Sequence, residues 1–235
     1  MENQLLNPKD QDLRLNETDL AVAAAKGFTA FIPLIGTFLG EIVSVTIPNQ
    51  RLDRITETVE LLLEKVKRIE DETIFKERMK NANFTPFLMN VLTQASNTEE
   101  ANKPRRAYLA SLLKNGIEAE NFDAMAAKRF ANLFEQINDI QVIRLYGASL
   151  EQYQENEKYN DYWNKFETLV YPKEPAFNAS DEENSAYELR LSFNDDLVRL
   201  GLMTNSNADG KTTVLGKGLL RWIDAEENIN QHVEV

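Results

Sequence analysis

Apolar residues recur along this chain at spacings of three and four, a pattern that predicts helices almost throughout. The clearest case is Leu52, Ile55, Val59, Leu62, Val66 and Ile69, which follow a 3-4-3-4-3 spacing and form a heptad seam. Leu61 and Leu63 widen that stripe, which favours packing inside a bundle. Self-association through a dimeric coiled coil is the alternative, over only about three heptads. Residues 49–80 also carry eight bases and eight acids, the expected solvated face.

Other helices follow from caps and breakers. Asn16 is an N-cap candidate before the alanine-rich run Leu20 to Lys26. In residues 27–48, GFTAFIPLIGTFLGEIVSVTIP, Pro33 opens a second helix and Pro48 closes it. Thr85-Pro86 starts a helix through Phe87, Leu88, Val91 and Leu92. Another runs from about Asn102 through Tyr108 and Leu112, with Gly116 as its expected stop. Asn121 and Asp139 are the expected caps of the next two helices, and Gly147 the expected end of the second.

Residues 151–171 are rich in acids and aromatics; Tyr159, Tyr162, Trp163 and Phe166 lie at helical spacing, so a helix packed on the body is expected. A loop with Pro172 and Pro175 follows, then an acidic patch, Asp181 to Glu183. A helix from about Ala186 carries Leu189, Phe193, Leu197 and Leu200 and breaks at Gly201. The polar turn TNSNADGK, the short run Thr212 to Leu215 and a helix with Leu219, Leu220, Trp222 and Ile223 close the pattern.

The fold expected is all-α: a helical bundle with an N-terminal apolar helical hairpin and a C-terminal winged-helix-like module whose small β wing lies near 202–215. Residues 1–48 form a polar arm and the hairpin, 49–120 the bundle, and 121–235 the winged-helix-like module. That module holds the aromatic and acidic insertion 151–185 and an acidic tail.

With 235 residues there is enough chain for a sizeable core, and only 9 glycines and 7 prolines, too few for a turn-rich β fold. The formal net charge of −12 argues against a general nucleic-acid binder, which needs a basic face. The charge is uneven. Residues 151–188 hold ten acids against Lys158, Lys165 and Lys173, and 224–235 hold four acids and no base. The rest is near neutral and could approach an anionic surface. As a DNA reader the module would present the helix at 186–200, where Glu188, Asp195 and Asp196 oppose Arg190 and Arg199. Phosphates would repel that face, so a structural or protein-binding use is expected.

Candidate chemistry is sparse. There is no cysteine, so thiolate metal sites and a cysteine nucleophile are excluded, which fits a reducing, cytoplasmic setting. His232 is the sole histidine and lies in the acidic tail. No phosphate-binding, nucleophile-elbow or zinc-protease motif appears. No catalytic, cofactor-binding or metal-ligating residues are assigned, and no enzyme activity is expected. The polar N-terminus MENQLLNPKDQD does not read as a signal peptide.

The segment 27–48 has two readings. Gly27 to Gly40 is uncharged and about 21 Å long as a helix, short of the roughly 30 Å hydrocarbon core. It is either a buried core hairpin or an interfacial, conditionally inserting segment. On the second reading the membrane contacts are Phe31, Leu34, Ile35, Phe38 and Leu39. Gly36 and Gly40, spaced as GxxxG, would allow close helix approach. Arg51 and Arg54 follow and could meet phosphate or pair with Asp53 and Glu57.

The order of parts resembles the Abi-alpha family, bacterial proteins linked by name to abortive infection. The matching stretches are IPLIGTFLGEIV with the arginine-bearing helix after it, LTQASNTEEANKPRRAYLASLLKNG, FEQINDIQVIRL, and LVRLGLM with TTVLGKGLLRWI, spread over roughly residues 30–223. The long aromatic insertion and Lys103-Pro104 depart from it. The resemblance implies a role in phage resistance, with membrane contact, and carries over no site residues. Function is therefore expected to be that of a non-enzymatic defence effector or adaptor whose partners are itself, another protein or a membrane surface. The alternatives are a winged-helix transcriptional regulator and a purely structural interaction module.

The heptad helix supplies the first test. Leu62→Asp or Val66→Asp buries an unpartnered charge, which costs several kcal/mol, so both variants should unfold in thermal melts. Wild-type melting of both would show that the seam is exposed.

Overall fold

A computed structural model describes residues 49–66, 77–78, 80–99, 102–119, 122–150, 157–170, 174–206 and 210–231. They are mostly helical. The helices are α1 (Asn49–Val66), α2 (Phe84–Ser96), α3 (Lys103–Glu118), α4 (Ala124–Glu135), α5 (Asp139–Ser149), α6 (Glu157–Val170), α7 (Asp181–Arg199), α8 (Val214–Trp222) and α9 (Ala225–Gln231). In the heptad helix, Ile55 and Leu62 are buried and Val59 is half-buried, and α1 lies on α2 and α3. Leu52 and Val66 fall within α1, but their side chains, and Ile69, lie outside the described residues. The apolar hairpin and its contacts Phe31, Leu34, Ile35, Phe38 and Leu39 also lie outside them.

Two helices organise the body. Every residue of α3 from Arg106 to Leu113 is buried, because α1, α2, α8 and α9 all pack on it. Helix α5 is the second hub and touches α6, α7, α8 and α9. Around them Phe84, Phe87, Phe122, Trp222 and Phe130 form a chain of ring contacts with centroids 5.3 to 6.3 Å apart, which ties α2 to α4 and α8.

Several boundaries differ from the sequence expectation, each for a physical reason. Gly116 does not end α3, which runs on to Glu118. A Cβ there would sit 2.6 Å from the Phe87 ring, so the glycine admits a neighbouring helix. Gly147 plays the same part within α5, against the Tyr162 ring of α6. Helix α4 is capped by Asp123, which accepts from the Met125 and Ala126 amides. Helix α5 is capped by Asn138 rather than Asp139. The Asn138 side chain accepts from the Gln141 amide at 2.9 Å, and the Gln141 side chain accepts from the Asn138 amide at 2.8 Å.

The acidic patch Asp181 to Glu183 is the first turn of α7, five residues earlier than expected, behind a capping box of Ser180 and Glu183. Acids there face the positive end of the helix. The stretch 225–231 of the acidic tail is helical, with Ala225, Asn228 and Ile229 buried.

The region 202–215 contains no strand among the described residues. Met203 and Thr212 form an isolated antiparallel bridge, and Thr213 already caps α8 by accepting from the Gly216 amide. Gly201, at φ 73°, ends α7 as expected. Gly216 sits where a Cβ would collide with the Leu202 carbonyl and approach Thr212 at 2.7 Å. A backbone oxygen has little room to yield. Gly216→Ala should therefore cost about 1–3 kcal/mol, read as a lower melting temperature with unchanged helical circular dichroism at 20 °C or so.

Candidate functional site

Polar side chains in the body mostly join one helix end to another element. Arg105, in the first turn of α3, donates to the carbonyls of Phe134 and Ile137 at the end of α4, the latter at 2.8 Å. Its guanidinium also lies 3.7 Å from the centre of the Phe134 ring and 3.4 Å from the Asp139 carboxylate. Asn102 donates to the other Asp139 oxygen at 2.8 Å. Burial pushes the Arg105 guanidinium below its usual pKa, and Asp139 acts against that shift. Burial, with Asp139 adding to it, also holds the neighbouring Tyr108 phenol well above its usual range. The surrounding depression, about 380 Å³ and lined by Gln94, Glu99, Glu135 and Asn138, is a junction of four helix ends.

Arg106 and Arg144 are fully buried. Arg106 pairs with Glu57 of α1 at 2.9 Å and donates to the Glu99 carbonyl at 2.9 Å. Glu57 is thus taken by Arg106, and the half-buried Arg54 donates to the Ser96 carbonyl at 3.4 Å, so the expected Arg54–Glu57 pairing does not form. Arg51 carries no described side chain. Arg144 of α5 donates to the buried Asn194 of α7 at 3.2 Å, and Gln141 donates to the Phe193 carbonyl at 3.0 Å.

An open groove of about 880 Å³ lies between α5, α8 and α9, with Tyr146 and Leu220 buried in its wall and Lys217, Arg221, Glu226 and Glu227 around it. Its charges are of both signs and partly engaged: Lys65 pairs with Glu227 at 3.4 Å, and Asp224 with Lys114 at 3.4 Å. Among the described residues no set of three histidines, cysteines or carboxylates is placed to hold a metal.

The surface feature without a structural explanation is the first two-thirds of α7. From Asp181 to Phe193 no residue is buried. The fully buried positions come further on, at Asn194 and Leu197. Leu189 is 58% exposed, and Phe177, just before the helix, is fully exposed. Of the apolar positions that the spacing assigns to this helix, Leu197 is buried and Phe193 half-buried, while Leu189 is exposed. Among the described residues no helix is long and apolar enough to cross a membrane. No protein-family model, curated protein or solved structure matches the chain.

The Arg105 junction gives a stability test. Lysine offers a point charge without the planar fork that reaches two carbonyls and a carboxylate at once. Arg105→Lys should cost about 2 kcal/mol, seen as a lower urea midpoint with unchanged slope. Arg199→Lys, at an exposed pair with Asp196, should stay within about 0.5 kcal/mol of wild type.

Proposed function

We propose that this chain is a non-enzymatic antiphage-defence effector or adaptor of the Abi-alpha kind, which works by protein association and by contact of residues 27–48 with a membrane. One observation carries the adaptor half: α7 presents an acidic helix with Leu189 exposed on it and Phe177 exposed just before it, while Arg105 and Arg106 of the body are engaged in joining helix ends. The membrane half rests on the uncharged run Gly27 to Gly40, and the defence role on the family resemblance.

A winged-helix arrangement for residues 121–235 is part of this proposal. Support comes from the succession α4, α5 and α7, the Gly201 turn and the Met203–Thr212 bridge standing where a wing would begin. The same succession favours a transcriptional regulator as second reading. Against it, the helix that would enter the groove exposes Asp181, Glu182, Glu183 and Glu188. A regulator should shift duplex DNA with steep salt dependence, and no shift at low salt removes that reading.

Deleting the gene should restore plaquing of at least one phage that the intact strain resists. Unchanged plaquing across a broad phage panel would refute the defence role. For the membrane half, wild-type protein should float with liposomes. Leu34→Lys or Phe38→Lys, each costing roughly 2.5–3.5 kcal/mol at a bilayer centre, should abolish flotation without lowering the melting temperature. Glu41→Gln should strengthen it. Unstable lysine variants, with a wild type that never floats, would instead mark the segment as core.

A further inference from the structure

The inference concerns what α7 meets, and it rests on the adaptor reading. Over its 19 residues the helix is about 28 Å long. Its N-terminal two-thirds contain no fully buried residue, with Tyr187, Arg190, Leu191 and Phe193 half-buried. An isolated helix of this size is marginal in water. Local devices add to what holds it. Ser180 and Glu183 form the capping box, with the Ser180 amide donating to the Glu183 carboxylate at 2.8 Å. Asp181, Glu182 and Glu183 lie at the positive end of the helix dipole. The Glu183 carboxyl is held below its usual pKa by its bonds from Ser180. The arm is thus made helical in advance of any partner.

The exposed side has a definite pattern. Glu182, Ala186, Leu189, Phe193 and Asp196 follow a 4-3-4-3 spacing, so they form one ridge. Ala186 and Leu189 are exposed and Phe193 is half-buried. Leu189 stands about 140° around the helix from the anchoring Asn194 and about 80° from Leu197, so the ridge borders the anchored face and leaves Leu189 outside it. An apolar centre is bounded at both ends by acids, and Glu188 is exposed one position from Leu189. Across residues 174–199 seven acids face two arginines, and Arg199 is already paired with Asp196 at 2.8 Å.

We propose that this ridge, together with Phe177, is a docking surface for a basic amphipathic helix of another protein. A 3-4 apolar ridge fits the seam of a second helix. The acids select its charge: a second copy of α7 would set carboxylates against carboxylates, and an anionic lipid surface or nucleic acid would be repelled. A basic helix with its own 3-4 apolar stripe satisfies both features.

The test uses the full chain and a synthetic helical peptide with leucines at 3-4 spacing and lysines elsewhere, alongside a scrambled isomer of equal charge, measured by fluorescence anisotropy. Wild type should bind the helical peptide at least about tenfold more tightly than the scramble. Leu189→Ser with Phe177→Ser should lose about tenfold, as a buried anchor does. Glu182→Gln with Glu188→Gln should lose affinity at low salt and little at high salt. All four positions are exposed, so melting temperatures should be unchanged, and a variant that melts early is replaced by Leu189→Gln alone. Equal binding of helix and scramble, or wild-type binding by the serine variant, overturns the proposal. So does self-association, or adhesion to anionic vesicles, that Leu189→Ser abolishes. Phage plaquing is a separate readout: its failure refutes the defence role and leaves the peptide result standing, whereas peptide failure removes only this partner.

Discussion

Helix ends are the constraint on which this structure depends. Each α-helix leaves its last carbonyls without intrahelical donors, and a body built from many short helices multiplies such ends inside the fold. A buried acceptor left bare costs about 1–3 kcal/mol. Here long polar side chains from neighbouring helices supply the missing donors. Arg105 of α3 covers the end of α4, Asn115 of α3 donates to the Arg221 and Trp222 carbonyls at the end of α8, and Arg54 of α1 reaches the last carbonyl of α2. Arg78 does the same for Ile117 and Ala119 at the end of α3, with its guanidinium 5.2 Å from the Phe122 ring centre. A cation at a helix C-terminus also meets the negative end of the dipole. One residue therefore closes a helix and fixes the angle of the next.

This explains which parts of the fold were legible in sequence. Periodicity reports a helix with one wet and one dry side, and α1 is such a helix, with Ile55 and Leu62 buried and Glu60 and Glu64 exposed. It fails for α3, which is buried nearly all round and contains Arg106 in its dry interior. No local pattern announces that a charged residue will find Glu57 some fifty positions back. The glycines mislead for a related reason. Gly116, Gly147 and Gly201 look alike in sequence, yet only Gly201 needs a positive φ; the other two let an aromatic ring approach a helix backbone. Whether a glycine stops a helix or admits a neighbour is decided by the neighbour.

The C-terminal helix is the strongest instance. Residues 225–231 carry little apolar content, and their acids suggest a solvated tail. Asn228 is nevertheless fully buried, donating to Ser111 at 3.0 Å and to the Ile223 carbonyl at 2.8 Å while accepting from Lys65 at 3.2 Å. One amide thereby satisfies α3, the α8–α9 turn and α1. The candidate surface was half legible: the α7 helix and its break at Gly201 followed from local rules. Its start was missed because the acids of its first turn resemble a charged loop. The exposure of Leu189 could not be read from the spacing it shares with the buried Leu197, because spacing alone does not say which side of a helix is dry.

The two kinds of helix in this chain give it a mechanical asymmetry. The bundle helices are fixed by contacts distant in sequence, so loosening one loosens several. The arm of α7 is fixed by Ser180 and Glu183 within itself, and joins the body through Arg144–Asn194, Gln141–Phe193 and the burial of Leu197. All three lie at or beyond Phe193, and both hydrogen bonds come from α5. These contacts couple the arm to α5. Helix α5 also carries Gly147 against Tyr162 of α6, and its Leu145 carbonyl accepts from Thr212 at 2.8 Å. Helix α5 thus links α7 to α6 and to the turn preceding α8. The α1–α2–α3 contacts, held by Arg106 and Glu57, are joined to α5 through α8 and α9, which pack on both α3 and α5.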